Sequence, residues 1–323
     1  MDKLPNKIPR HSLRRHLLDL AGGLGYGLGY GLTSRLLSFF FGNPLLQRSL
    51  FGKRRKQLQR MHKLIGSTGS IGRDLTRHLL GRYTIPWRVN ALSRCDDAAF
   101  RVWVRIGNEA VLADLKAAGK PALLVSCHTS ISRLVPLVVT RLGHAVATLE
   151  PEPYLQRMGA RGAERIQSIT LRGEGEKFWM KEMFQAKKVL DARGMLLLAL
   201  DGHQGIGGVA HAFLGRKRTF HVSLAKLAIQ LNVPIVLVRA TLEEGGQVQI
   251  DFRGPLHLGD AALSEEARLT RFLDDYVGMI EAIWRTDLGN VSPRHLPPYL
   301  RSESISDLLS DGATPLLEKE KAA

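Results

Sequence analysis

Pro121-Ala122-Leu123-Leu124-Val125-Ser126-Cys127-His128 is the stretch on which the reading of this chain turns. The run is short, apolar and β-prone, and Gly119-Lys120 sets it off from what precedes it. Such a run reads as a buried strand. Thr129, Ser130 and Ser132, all residues that start helices, follow it, and then the apolar stretch 134–139. A strand that ends in a histidine and turns into a helix puts an imidazole at the carboxyl edge of an α/β sheet. Open α/β folds place their ligands at that edge.

Working outward, the pattern from about residue 100 alternates. Strand-like runs fall at 122–126, 145–149, 195–200, 235–238 and 248–252. Helix-like runs lie at 109–118, 134–142, 178–192, 222–231 and 265–284. This alternation predicts an α/β fold, with a mixed, mainly parallel sheet flanked by helices. Glu243-Glu244-Gly245-Gly246 before the last strand is a hairpin signal, so the late part of the sheet is expected to be antiparallel. The expected division is a basic helical membrane-associating region at 1–95, an α/β domain at 96–300, and a poorly ordered polar tail at 301–323.

Charge marks off the amino-terminal third. The 323 residues carry a formal net charge of +16. Residues 1–90 hold 17 Lys or Arg and 3 Asp or Glu, so +14 of that excess sits there. A basic segment on a nearly neutral body predicts a polyanionic partner, membrane or nucleic acid. Residues 48–64 place Leu50, Phe51, Leu58, Met61 and Leu64 at helical spacing among Lys53, Arg54, Arg55, Lys56, Arg60 and Lys63. This reads as a basic amphipathic helix suited to an anionic interface, with a solvated helix face as the plainer alternative. Few aromatic residues accompany the charges and no nucleic-acid module follows, which makes nucleic acid the weaker partner. The apolar, glycine-rich segment 17–42 has only fifteen uncharged residues between Asp19 and Arg35. A bilayer span needs about 18 to 20, so membrane contact rather than crossing is expected. No cleavable signal peptide is evident. Cys95 and Cys127 are the only cysteines, too few for a disulfide framework or a metal-type spacing, and a reducing cytoplasm fits them.

Three strand ends converge if the sheet is mainly parallel. His128 closes the first, Glu150 the second and Asp201 the third. A histidine with carboxylates nearby suits general-base chemistry, although acidic residues after strands also cap helices. The loop Asp201-Gly202-His203-Gln204-Gly205-Ile206-Gly207-Gly208 lacks both nucleotide-binding glycine patterns. No G-x-S-x-G occurs, which leaves no serine elbow. Cys127 adjoins His128, but successive strand residues point to opposite faces, so a buried structural thiol is expected.

Further motifs complete a pattern. Val104-Arg105-Ile106-Gly107-Asn108-Glu109 leads through a helix to the strand before His128. Phe213-Leu214-Gly215-Arg216-Lys217-Arg218 precedes the next helix, followed by Val233-Pro234-Ile235-Val236-Leu237-Val238 and Phe252-Arg253-Gly254-Pro255-Leu256. Over about residues 100–257 this order resembles the lysophospholipid acyltransferase-like superfamily, closest to the bacterial lipid A late acyltransferases.

The resemblance implies transfer of a fatty acyl group from an acyl carrier protein or coenzyme A thioester to a hydroxyl of a glycolipid or other amphiphilic acceptor. It implies an anionic membrane surface as partner, the cytoplasmic face of a bacterial inner membrane as location, and no metal or redox cofactor. His128 matches the histidine of the family's H-x-x-x-x-D/E motif, but Arg133 stands where the carboxylate belongs. A guanidinium offers no acceptor to the ring N–H. Three outcomes follow from that departure. Glu150 or Asp201 supplies the carboxylate from a neighbouring strand, or Arg133 binds an anionic substrate, or acyl transfer is lost and a lipid- or thioester-binding protein remains. Asp201 matches the family's later aspartate. Arg165, with Arg161 as alternative, matches its arginine after the second strand, a donor for a developing oxyanion. Gly215 and Arg216 join Arg133 and Arg165 as expected substrate contacts.

Overall fold

In the computed structural model of this protein the residues described are 29–67, 69–150, 153–170, 176–201, 208–243, 245–256, 263–291, 295 and 299. The expectations for residues 1–28 and for the tail at 301–323 lie outside them.

Within the apolar run 121–128, Ala122–Ser126 forms a strand buried at every position. In chain order the described strands are β1 (Val104–Gly107), β2 (Ala122–Ser126), β3 (Val146–Glu150), β4 (Ile166–Thr170), β5 (Met195–Ala199), β6 (Gly208–Phe213), β7 (Arg216–His221), β8 (Ile235–Leu242) and β9 (Val248–Arg253). Seven of them form one sheet in the order β1-β9-β8-β2-β5-β3-β4, while β6 and β7 form a separate antiparallel hairpin. Within the large sheet β8 and β9 are antiparallel and the other neighbours run parallel. The fold is therefore α/β with a mixed, mainly parallel sheet. β2 and β5 lie at its centre and, apart from Ser126, are apolar because both faces are covered. The expected hairpin turn lies between β8 and β9, where Gly245 and Gly246 take φ of 76° and 84°, values that suit residues without a Cβ.

The helices are α1 (Gly29–Gly42), α2 (Pro44–Ile65), α3 (Ile71–Tyr83), α4 (Ile85–Arg94), α5 (Asp97–Trp103), α6 (Ala110–Ala117), α7 (Val135–Arg141), α8 (Tyr154–Arg157), α9 (Glu176–Asp191), α10 (Ser223–Gln230) and α11 (Glu265–Thr286). Five helix-like runs read from the sequence appear as α6, α7, α9, α10 and α11, with ends moved by a few residues. β1, β4 and the β6–β7 hairpin had no apolar run to announce them. β1 and β4 sit at the two edges of the sheet and carry exposed or half-exposed residues.

The basic helix expected at 48–64 forms within α2, started by the Asn43 side chain, which accepts from the Leu45 and Leu46 N–H groups. Phe51, Leu58 and Met61 are buried, while Lys53, Lys56, Arg60 and Lys63 are exposed. Most of its apolar stripe is spent on the protein's own core, while its basic face meets solvent. The exposed large apolar residues of this region are Leu32, Leu36 and Phe39 on α1 and Leu45 and Leu64 at the two ends of α2, with Phe39 81% exposed.

Two polar networks bind these amino-terminal helices to the sheet. Fully buried Arg88 on α4 donates to Thr84 Oγ1 and to the Gly246 carbonyl in the β8–β9 turn. Asp74 on α3 pairs with His62 and accepts from the Gly289 N–H, and Arg77 reaches Asp287 at 3.3 Å. The second network anchors residues 287–291, which in turn hold the loop after β2. Ser130 N–H donates to the Asn290 carbonyl at 2.7 Å, and Thr129 bridges Val291.

Tyr276 on α11 ties the two central strands together. Its hydroxyl donates to the Ser126 carbonyl and accepts from the Leu200 N–H, at 3.0 and 3.1 Å, in a fully buried position. Tyr276→Phe leaves both backbone groups without their partner. It is expected to cost about 1–3 kcal/mol, read as a lower urea midpoint at an unchanged slope.

Candidate active site

β2 and β5 are parallel neighbours, and Ser126 is in register with Ala199. Two residues further on, the chain carries His128 after one strand and Asp201 after the other. Parallel neighbours lie about 4.8 Å apart, so the register alone brings these side chains within reach. The His128 Nδ1 lies 2.7 Å from Asp201 Oδ1, and the His128 backbone N–H donates to both carboxylate oxygens at 3.0 and 3.1 Å. The carboxylate therefore fixes the histidine twice, through its backbone and through its ring. An ionised carboxylate only accepts, so in the neutral ring Nδ1 carries the proton and Nε2 keeps its lone pair.

The two partners differ in exposure. The Asp201 side chain is 5% exposed and the His128 side chain 46%. Burial works against the Asp201 charge, but the His128 imidazole, His295 and Arg218 together hold its carboxyl well below the usual carboxylate range. For His128, desolvation works against the imidazolium, and so do Arg218 and Arg133. The Asp201 charge and hydrogen bond outweigh them, and the histidine is raised above its ordinary value.

Arg218 on β7 supports Asp201 from below. Its Nη2 donates to the Asp201 carbonyl at 2.7 Å, and its guanidinium lies over Phe213 and Phe220 at 5.0 and 5.3 Å. His295 brings a third titratable group. It is buried, and its ring centre is 5.5 Å from that of His128. His128, Asp201 and His295 each offer a ligating atom, all within 4.8 Å of one another, so this cluster is also able to hold a metal ion.

The other residues singled out from the sequence go elsewhere. Glu150 ends β3, one strand beyond β5. Its carboxylate accepts from Ser168 Oγ at 2.6 Å, Thr148 Oγ1 at 2.9 Å and the Tyr154 N–H at 3.4 Å. These bonds fasten the β3–β4 end of the sheet. Arg133 lies in a 3₁₀ turn at Ser132–Leu134, exposed, with its guanidinium 4.5 Å over the Tyr154 ring. It leans away on an aromatic face and leaves the Nδ1 of His128 to Asp201. Arg165 is exposed in the turn before β4. Gly215 and Leu214 form the tip of the β6–β7 hairpin, both at positive φ. That tip packs on the carboxyl-terminal part of the chain: the Leu214 N–H donates to Glu281, its carbonyl accepts from Tyr299, and Arg216 lies 5.3 Å over the Tyr299 ring. Cys127 is buried, and burial pushes its thiol well up, as a structural thiol requires.

Sequence reasoning did not assign Tyr276, Arg218 or His295 to the site. Tyr276 and His295 stand far along the chain from His128, with no motif around them. Arg218 lies in the motif 213–218, but only the packing of the hairpin brings its guanidinium to the Asp201 carbonyl. A scan against known protein families found no match, and neither did a search of curated proteins.

Asp201→Asn removes the charge that raises the His128 pKa and keeps the burial and the two arginines that lower it. The His128 pKa is then expected to fall below the ordinary histidine range, measured from imidazole proton shifts across a pH titration. An unchanged titration means that the pairing described does not govern the ring.

Proposed function

We propose that this protein is a membrane-associated acyltransferase. It moves a fatty acyl group from an acyl-carrier-protein or coenzyme A thioester to a hydroxyl of a glycolipid or other amphiphilic acceptor, at the cytoplasmic face of a bacterial inner membrane. One observation carries the reading: an exposed imidazole, placed at the carboxyl edge of the sheet, has its inner nitrogen held by a buried, ionised carboxylate. Arg133 against the ring with no acid near would have favoured a silent, lipid-binding chain. The Asp201 contact favours catalysis.

In this reading His128 Nε2 accepts the proton of the acceptor hydroxyl as its oxygen attacks the thioester carbonyl carbon. Asp201 keeps the tautomer correct and stabilises the imidazolium. The tetrahedral intermediate then expels the thiolate as the C–S bond breaks, the ester forms, and the imidazolium returns its proton to the sulfur. Loss of an orienting carboxylate costs about 10⁴ in kcat in the serine-protease precedent, so Asp201→Asn is assigned a loss of that order. Because the base must be neutral and its pKa is raised, activity falls as pH drops through that raised pKa.

Comparison of the lipids of cells with and without the protein, complemented by the wild type or by His128→Ala, tests the reading. The expected result is a lipid one acyl chain short in the deletion strain, restored by the wild type only. Full restoration by His128→Ala overturns the mechanism.

Membrane attachment in this proposal is peripheral. Among the described residues no helix is long and apolar enough to cross a bilayer. Leu32, Leu36, Phe39 and Leu45 offer exposed apolar contact beside the basic face of α2, the combination that anionic interfaces attract. Phe39→Ser with Leu45→Ser is expected to weaken co-sedimentation with vesicles rich in anionic lipid at least several-fold. Unaltered binding by that double variant assigns the contact elsewhere.

A further inference from the structure

His295 has no part in the acyl-transfer steps, yet it lies beside both residues that do. It is 7% exposed, its ring centre is 5.5 Å from that of His128, and it also acts electrostatically on Asp201. Two imidazoles and one carboxylate thus meet at a single point at the sheet's edge, with ligating atoms within 4.8 Å.

We propose that His128, Asp201 and His295 form a capture site for a zinc ion, which silences the site by occupying its base. The ligand set suits a borderline-soft transition ion. Imidazole nitrogens favour zinc and its neighbours, whereas magnesium and calcium demand oxygen ligands. Zinc–nitrogen and zinc–oxygen bonds of about 2.0–2.1 Å place tetrahedral ligands about 3.3 Å apart. The widest separation, up to 4.8 Å, has to shorten and the 2.7 Å hydrogen bond between His128 and Asp201 has to open, so the ion enters at the expense of that bond. The three residues come from three separate parts of the fold: His128 and Asp201 follow two adjacent strands, and His295 lies beyond Asn290 and Val291, which are pinned to the β2 loop through Ser130 and Thr129. His128 is the one of the three ligands that meets solvent. Arg218 and Arg133 stand nearby as positive charges and temper the affinity, which suits a reversible ion rather than a resident one.

The silencing part rests on the acyltransferase reading, but the ion site does not. A ring nitrogen or carboxylate engaged by zinc no longer sustains the His128–Asp201 hydrogen bond, and the imidazole loses its role as base.

Isothermal titration of the full chain, stripped with a chelator, measures the site without any turnover. Wild type is expected to take up one zinc ion with a Kd of micromolar order or tighter, and to show no comparable heat with magnesium. His295→Ala, Asp201→Asn and His128→Ala are each expected to weaken it at least tenfold. His128 is exposed, so its substitution keeps the test valid if either buried variant unfolds. Absence of zinc uptake, equal affinity in all three variants, or equal uptake of magnesium overturns the site. A thioester-transfer assay on the zinc-free chain separates the two claims. Zinc uptake through these residues with no transfer leaves the ion site standing and removes the acyltransferase reading. Transfer that zinc saturation leaves unslowed overturns the silencing.

Discussion

The whole site depends on the hydrogen-bonded register between β2 and β5. With Ser126 opposite Ala199, the residue two places beyond each strand faces its counterpart, and a histidine meets a carboxylate at 2.7 Å. A slip of one residue would turn each side chain to the opposite face of its strand and separate the pair. Register is strongly determined here because both strands are buried on both faces. Tyr276 adds a clamp at the point where the strands end. The packing that makes the core also sets the site's geometry.

A buried carboxylate is costly unless it is compensated. Asp201 is compensated from several sides: two contacts to the His128 backbone and ring, the nearby His295, and Arg218 at its own carbonyl. Arg218 is itself buried, and the faces of Phe213 and Phe220 on the hairpin flank it. The separate β6–β7 hairpin thus supports the site through Arg218. This arrangement also explains how Arg133 is tolerated. A cation one turn after the histidine would be harmful if the ring relied on that position, but the ring is already held from β5. Arg133 rests on Tyr154.

The amino-terminal helices show how a sequence pattern can have its apolar half absorbed by the fold. The amphipathic spacing in α2 is real, yet Phe51, Leu58 and Met61 face inward and its cations face solvent. The apolar surface left exposed comes chiefly from α1, within the apolar, glycine-rich segment 17–42 read from the sequence as a membrane contact, with Leu45 and Leu64 at the ends of α2. Buried Arg88 and the Asp74–Arg77–Asp287 network make these helices part of the body that carries the site.

Much of the fold was legible in the sequence because burial on both faces writes itself as an uninterrupted apolar run. β2, β5 and β8, the helices between them, and the glycine turn before β9 were all readable in this way. The edge strands β1 and β4 and the polar β6–β7 hairpin were not, since half-exposed strands leave no such run. For the site, sequence alone determined that His128, Glu150 and Asp201 follow strands and so share one edge. Strand order decided which carboxylate the histidine meets. β5 lies beside β2 and β3 lies one place further, so Asp201 is the partner and Glu150 turns to Ser168. Order in a sheet is a matter of long-range pairing that no local pattern encodes. Long-range contact likewise brought Tyr276, Arg218 and His295 to the site from distant parts of the chain.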